Sequence, residues 1–136
     1  MDDGGITYAR PSKSAYIPVV DLIVSSKDGT LRELALIDTG ARHNFIEITL
    51  AERLGLPVTG GPFDVSAVGT SFPAYARHLK ATFGGTKLAI ESGFLAVDMI
   101  NSGRKYSFIL GIAGIENFRL TLNFKRHKYF LDTGAT

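Results

Sequence analysis

Cysteine is absent from the 136 residues. That excludes a disulfide framework, a thiolate nucleophile and a thiolate-held zinc, while leaving the cellular compartment open. Long apolar runs are absent too. None approaches the roughly 20 residues that carry a helix across a bilayer, so no membrane segment is expected. The opening "MDDGGITYAR" lacks the basic flank and apolar stretch of a secretory signal. No serine stands in a G-x-S-x-G setting and no nucleophilic triad is visible. His43, His78 and His127 lie 35 and 49 positions apart, so none forms a local metal pair of the H-E-x-x-H kind. Neither a metal nor a cofactor is expected. "FGGTK" has neither the glycine spacing nor the following helix of a phosphate loop, and reads as a hairpin turn.

Strong charge of one sign is lacking as well. The net charge is +2, with 6 basic and 9 acidic side chains in residues 1–68 against 9 and 4 in residues 69–136. The densest basic run, "KRHK" at Lys125–Lys128, reads as a solvated turn between strands. Without interleaved aromatic residues or a nucleic-acid module around it, no nucleic-acid partner is expected.

What is present is the makeup of one globular domain: 45% hydrophobic and 21% charged residues, with no linker or low-complexity segment. Strand patterns dominate. "YIPVVDLIV" (Tyr16–Val24) is β-branched and apolar, "SSKDGT" supplies a turn, and "LRELALID" (Leu31–Asp38) alternates. Pro18 places the first of these at an edge there, or makes it begin later. In "NFIEITLAERLGLP" the period changes. Ile46, Leu50 and Leu54 recur four apart, and Gly55 and Pro57 supply a stop, which predicts a short helix over about Glu47–Leu54. Strands resume through "PFDVSAVGTSFPAYARHLKATF" and "KLAIESGFLAV". "YSFILGIAGIENF" is apolar and glycine-punctuated, and "RLTLNF" and "YFL" close the chain. Residues 1–15 are expected to be a flexible lead-in.

One tetrapeptide occurs twice, as Asp38-Thr39-Gly40-Ala41 in "ALIDTGARHNF" and as Asp132-Thr133-Gly134-Ala135 in "YFLDTGAT". In the first copy an apolar strand delivers a carboxylate to a turn, where neighbouring N–H groups can fix its plane. Gly40 lets the backbone turn without a Cβ in the way. Thr39 offers a hydroxyl, and small Ala41 leaves room for a ligand. The bland alternative is an Asp-Thr-Gly turn at a strand end, common turn chemistry.

Three features in order set the first copy apart: "LIDTGARHNFI", the glycine-tipped hairpin "SAVGTSFPAY" and the late "FILGIAGI". Together they resemble the retropepsin-like aspartic proteases, including the protease domains of DNA-damage-inducible ubiquitin-shuttle proteins and bacterial homologues. The resemblance runs from about Tyr16 to Leu131. It implies an all-β single-lobe acid-protease barrel with one or two short helices, acting on a peptide or protein substrate as a homodimer.

The same resemblance implies roles. Asp38 is the catalytic aspartate, Thr39 grips the partner subunit and Gly40 accepts the substrate backbone. By their place at the end of the motif and just after it, Ala41, Arg42 and His43 are expected to line the substrate cleft. Val68, Gly69, Thr70 and Ser71 form the flap tip, and Ile109, Leu110 and Gly111 thread behind the catalytic loop. Two positions depart from the retroviral pattern. Arg42 replaces an acid, and Ile112-Ala113 replace an arginine-led pair, so both halves of one ion pair are missing together.

Such chemistry needs two carboxylates close enough to share a proton. The second copy is not expected to supply one, since the four residues after Asp132 carry no strand, helix or apolar-apolar-glycine segment to hold a loop rigid. The second carboxylate is therefore expected from Asp38 of another copy, on a two-fold axis. Residues 118–132 are the expected dimer strands. A non-catalytic dimerising or peptide-binding module with the same fold stays open, as does an unrelated barrel carrying a chance motif.

Overall fold

The computed structural model describes residues 5–11, 16–26, 29–67, 70–99, 106–126 and 128–132. Strand β1 (Gly5–Pro11) is followed by β2 (Tyr16–Ser26), β3 (Gly29–Ile37) and the short β4 (Asn44–Glu47), which runs into helix α1 (Ile48–Arg53). A long hairpin, β5 (Val58–Ala67) and β6 (Thr70–Phe83), leads to β7 (Ala89–Val97). Then come β8 (Phe108–Leu110), helix α2 (Ile112–Ile115), β9 (Arg119–Asn123) and β10 (Lys128–Asp132).

The strand order is β5-β6-β7-β4-β8-β3-β2-β1-β10-β9, and an added β6–β2 pairing closes six of these strands into a barrel. Closure leaves the barrel strands without free edges and gives them an inside to fill. Val20, Leu22, Ile46, Leu79, Phe83, Phe94, Phe108 and Leu110 fill it. Phe94 and Phe108 meet edge to face at 5.9 Å. Pro18 fits its place: only β1 pairs there, and β3 joins from Val19 onward.

Helix α1 has the expected ends. Glu47, already extended, accepts at its side chain from Thr49 N–H, and Leu54 closes the last turn. Gly55 follows at φ +67°, where Leu56 N–H reaches Ala51 O at 3.1 Å. That left-handed residue with its backward bond is how a helix ends on glycine.

One expectation changes. The lead-in over residues 1–15 contains a strand, because Gly5–Pro11 pairs with β2 on one side and with β10 on the other. Its short, mixed sequence carries no strand period, and two neighbouring strands supply the order that its own pattern lacks.

The site depends on one threading. β8 runs parallel to β3 and antiparallel to β4, lying between the two. The loop joining β3 to β4, residues 38–43, therefore wraps around the end of β8.

Candidate active site

Asp38 stands where β3 leaves the barrel. Its N–H donates to Leu110 O at 2.9 Å, and its Oδ1 accepts from Gly40 N–H at 2.9 Å. Ala41 N–H closes the turn on Asp38 O at 3.1 Å. The carboxylate is half-buried rather than deep in the core, since the strand has already emerged at that point. Thr39 and Gly40 are exposed.

The loop is tied to the body of the protein through the segment after β8. Ile112 N–H donates to Ala41 O at 2.8 Å and Ala113 N–H to Arg42 O at 3.0 Å. These are the first free N–H groups of α2, which has no side-chain cap, so the Asp38 loop itself caps that helix. Arg42 and Ile112-Ala113, the two places where the sequence departs from the retroviral pattern, are thus bridged by a main-chain bond. Gly111 has a packing reason to be glycine: a Cβ there would stand 2.6 Å from Ala41 O and closer still to His43 O.

Asp38, Gly40, Ala41, Arg42 and His43 all line one cavity of about 740 Å³, and Ile109 joins them at its floor. Its remaining walls are mostly apolar. Phe45, Leu95, Val97 and Met99 come from below, and Phe63 and Phe72 from the hairpin above. Several of these belong to a small second hydrophobic cluster around Ala74, Val97, Met99 and Ile109. Such a cluster, open on one side, suits an apolar ligand. Asp64 and Ser66 of β5 add polar groups to the upper wall.

The hairpin pairs Ser66 with Ser71 and Ala67 with Thr70, so its turn falls at residues 68–69. The flap-tip residues Val68 and Gly69 lie outside the described residues. Ser71 is exposed and does not line the cavity, while Ser66, its cross-strand neighbour, does. Thr39 is likewise not part of the cavity wall. Leu110 is wholly buried and contributes its carbonyl.

Two site features escape the motif. Asn44, 0% exposed, accepts from Gly111 N–H through Oδ1 at 3.0 Å. Glu47, 2% exposed, accepts from Met99 N–H at 2.7 Å and from Thr49 N–H at 2.7 Å, which fixes the cleft wall at Met99. The signal for both was in view: Asn44 and Glu47 bracket an apolar strand end in "NFIE", where polar residues have to be satisfied internally.

Asp132, the aspartate of the second tetrapeptide, serves elsewhere. Arg119 grips it from the facing strand, Nε to Oδ1 at 3.1 Å and Nη2 to Oδ2 at 3.1 Å. A two-pronged guanidinium bond of this kind holds a carboxylate in place structurally. Among the described residues no cluster of three or more acidic or histidine side chains is arranged to hold a metal ion, and no helix is long and apolar enough to cross a membrane.

The whole arrangement is similar to the crystal structure of a retropepsin-like aspartic protease from Rickettsia conorii. The TM-score is 0.62 at 15% sequence identity, over 96% of this chain and 92% of that one. That likeness defines the fold: all-β and retropepsin-like, with two short helices. Residues 25–111 match the model of the aspartyl protease family, and the chain belongs to that family. No curated protein is similar enough in sequence to match.

Proposed function

We propose that the chain is an aspartic endopeptidase whose active site forms between two copies, each giving Asp38. The observation that carries this reading is the placement of Asp38. Asp38, its carboxylate oriented by Gly40 N–H, faces an apolar cleft roofed by a long hairpin, and the other acid of the lining, Asp64, stands on that hairpin. A single carboxylate cannot both accept a proton from water and donate one to a carbonyl in the same step. Two, related by a two-fold axis, can: one ionised as the base, the other protonated to polarise the scissile carbonyl. Thr39, exposed beside Asp38 and not part of the cleft lining, grips the second copy.

The edge for that copy is β9, last in the strand order. Its Leu122 is 39% exposed, and Phe124 just beyond it is 58% exposed. A strand paired on one side only and carrying exposed apolar side chains is costly to leave in water and suited to pairing with its own copy. Residues 118–132 are accordingly the dimer strands.

The substrate is an extended peptide laid under the hairpin, its alternate side chains in the apolar pockets. Val68, Gly69, Thr70 and Ser71 close over it, and Arg42 and His43 meet it at the cleft rim. Substrate contact at Arg42 is through N–H donors, the reverse of what an acid there offers.

The test is cleavage of an undirected peptide library, read by mass spectrometry between about pH 4 and 7, the range in which a shared-proton pair works. Wild type and Asp132→Asn are expected to cut alike, and Asp38→Asn not at all. Loss of cutting in Asp132→Asn contradicts the single-tetrapeptide site. A folded dimer that cuts nothing at any pH favours the non-catalytic peptide-binding reading.

A further inference from the structure

We propose that Asn44 is the residue that positions the catalytic loop, acting on Asp38 through the Leu110–Gly111 peptide without touching substrate. The proposal rests on the protease reading for its kinetic consequences, and on the geometry alone for its mechanical ones.

Three backbone bonds tie the loop at residues 38–43 to the body of the protein: Asp38 N–H to Leu110 O, Ile112 N–H to Ala41 O and Ala113 N–H to Arg42 O. All three end on the segment from Leu110 to Ala113. Whatever holds that segment decides where the Asp38 carboxylate stands. Among the described residues, the one side chain that bonds to it is Asn44, whose Oδ1 accepts from Gly111 N–H at 3.0 Å.

Leu110 O and Gly111 N–H belong to the same peptide unit, which is planar and rigid. Asn44 grips one edge of that plane, and the Asp38 N–H grips the other at 2.9 Å. Turning the plane to suit one partner removes the other. The far end of the amide is fixed as well, with Nδ2 donating to Ser92 Oγ at 3.2 Å and to Gly93 O at 3.3 Å. Gly93 lies on β7 and lines the cleft. One buried amide therefore ties the catalytic loop's support to β7, the neighbouring strand of the cleft wall.

The side chain is specified by chemistry. The site needs an acceptor toward Gly111 and a donor toward Gly93 at once, in a buried place. Asparagine supplies both, an ionised aspartate supplies acceptors only, and leucine supplies neither. Space is fitted to it too: a Cβ on Gly114 would stand 2.5 Å from Asn44 Oδ1.

The test uses Asn44→Leu and Asn44→Asp in the full chain. Asn44→Leu is expected to lower kcat about tenfold to a hundredfold at every pH, with KM within about threefold, because misplaced reacting groups cost rate more than binding. Asn44→Asp gives the discriminating profile. Protonated, its carbonyl oxygen accepts from Gly111 and its O–H donates to Gly93 O, so kcat approaches wild type at the acid end. Ionised, it has no donor left, and kcat falls about tenfold further than wild type toward neutral pH. The titratable groups on the surrounding elements (Asp38, His43, Glu47 and Glu91) are common to both proteins, so the difference between profiles belongs to residue 44.

A wild-type-like profile in Asn44→Asp overturns the proposal, and so does wild-type kcat in a folded Asn44→Leu. Should Asn44→Leu not fold, the Asn44→Asp profile decides alone. Amide hydrogen exchange supplies a readout that needs no substrate. Gly111 and Asp38 N–H groups are expected to exchange about tenfold faster in Asn44→Leu than in wild type, after correction for intrinsic rate and relative to β7 amides. Equal acceleration across the barrel overturns the proposal. If wild type cuts nothing, the protease reading fails while exchange still decides the clamp.

Discussion

Gly111→Ala puts the threading of β8 under direct strain. The new methyl would meet Ala41 O at 2.6 Å and His43 O closer still, both backbone atoms of a loop that cannot swing aside without breaking its bonds to α2. Backbone torsion is not the difficulty, since Gly111 sits at φ −88°, which any residue adopts. Overpacking of this kind costs about 1–3 kcal/mol. Moving the loop to relieve it sacrifices one or two hydrogen bonds, at about 1 kcal/mol each. The sum is about 2–5 kcal/mol, which for a domain of this size lowers the melting temperature by roughly 6–20 °C. The assay is a circular-dichroism melt at fixed protein concentration, because assembly would otherwise move the midpoint. Gly93→Ala is the control: a Cβ there meets nothing within 4 Å, so its midpoint stays within about 2 °C of wild type. A Gly111→Ala melting point that matches this control refutes the wrapped-loop account.

Two further substitutions test other parts of the structure. Glu47→Ala removes the acceptor for Met99 N–H and for the Thr49 N–H and hydroxyl, and is expected to cost about 2–4 kcal/mol in urea unfolding; a loss below about 0.5 kcal/mol contradicts that role. Glu91 is held below its ordinary value of 4.5, first by its hydrogen bond to His78 and then by the charge of that ring. A lowered carboxylate pKa stabilises the fold above the ordinary value, and the gain disappears as pH falls through the lowered one. Because both side chains are exposed, Glu91→Gln is expected to leave the pH 7 midpoint within about 2 °C of wild type, and a larger fall would show a structural role that the geometry does not give it.

Much of this could be read from the chain alone, and the exceptions have a common cause. The alternation in "LRELALID", the four-residue spacing of Ile46, Leu50 and Leu54, and the glycine stop at Gly55 are local signals, and the matching strand and helix are present. The aspartate with its turn was legible for the same reason. The threading of Ile109–Gly111 behind that turn came only from the family resemblance, because parallel pairing joins segments some seventy positions apart, such as Leu36 and Ile109, and leaves no mark on either. Asn44 was missed on the same ground: its partner Gly111 is 67 positions away. The parity it shares with buried Ile46 was the available clue, since a polar residue on an inward-facing position must find partners there. Strand Gly5–Pro11 was read as a flexible lead-in because its neighbours, not its residues, order it. The cleft walls at Phe45, Phe72, Leu95 and Met99 carry no local mark either, being apolar residues far apart in sequence that only the fold gathers beside Asp38.

The central claim is that one active site takes Asp38 from each of two copies, and subunit mixing tests it most directly. Wild-type chain is held constant while Asp38→Asn chain is added and allowed to exchange, and cleavage is followed per wild-type chain. At a ninefold excess of the inactive chain, random pairing leaves about one wild-type chain in ten with a wild-type partner, so the shared site predicts a fall in activity of about tenfold. Activity that stays proportional to wild-type chain, whatever the excess, would mean that each copy works alone and would contradict the account.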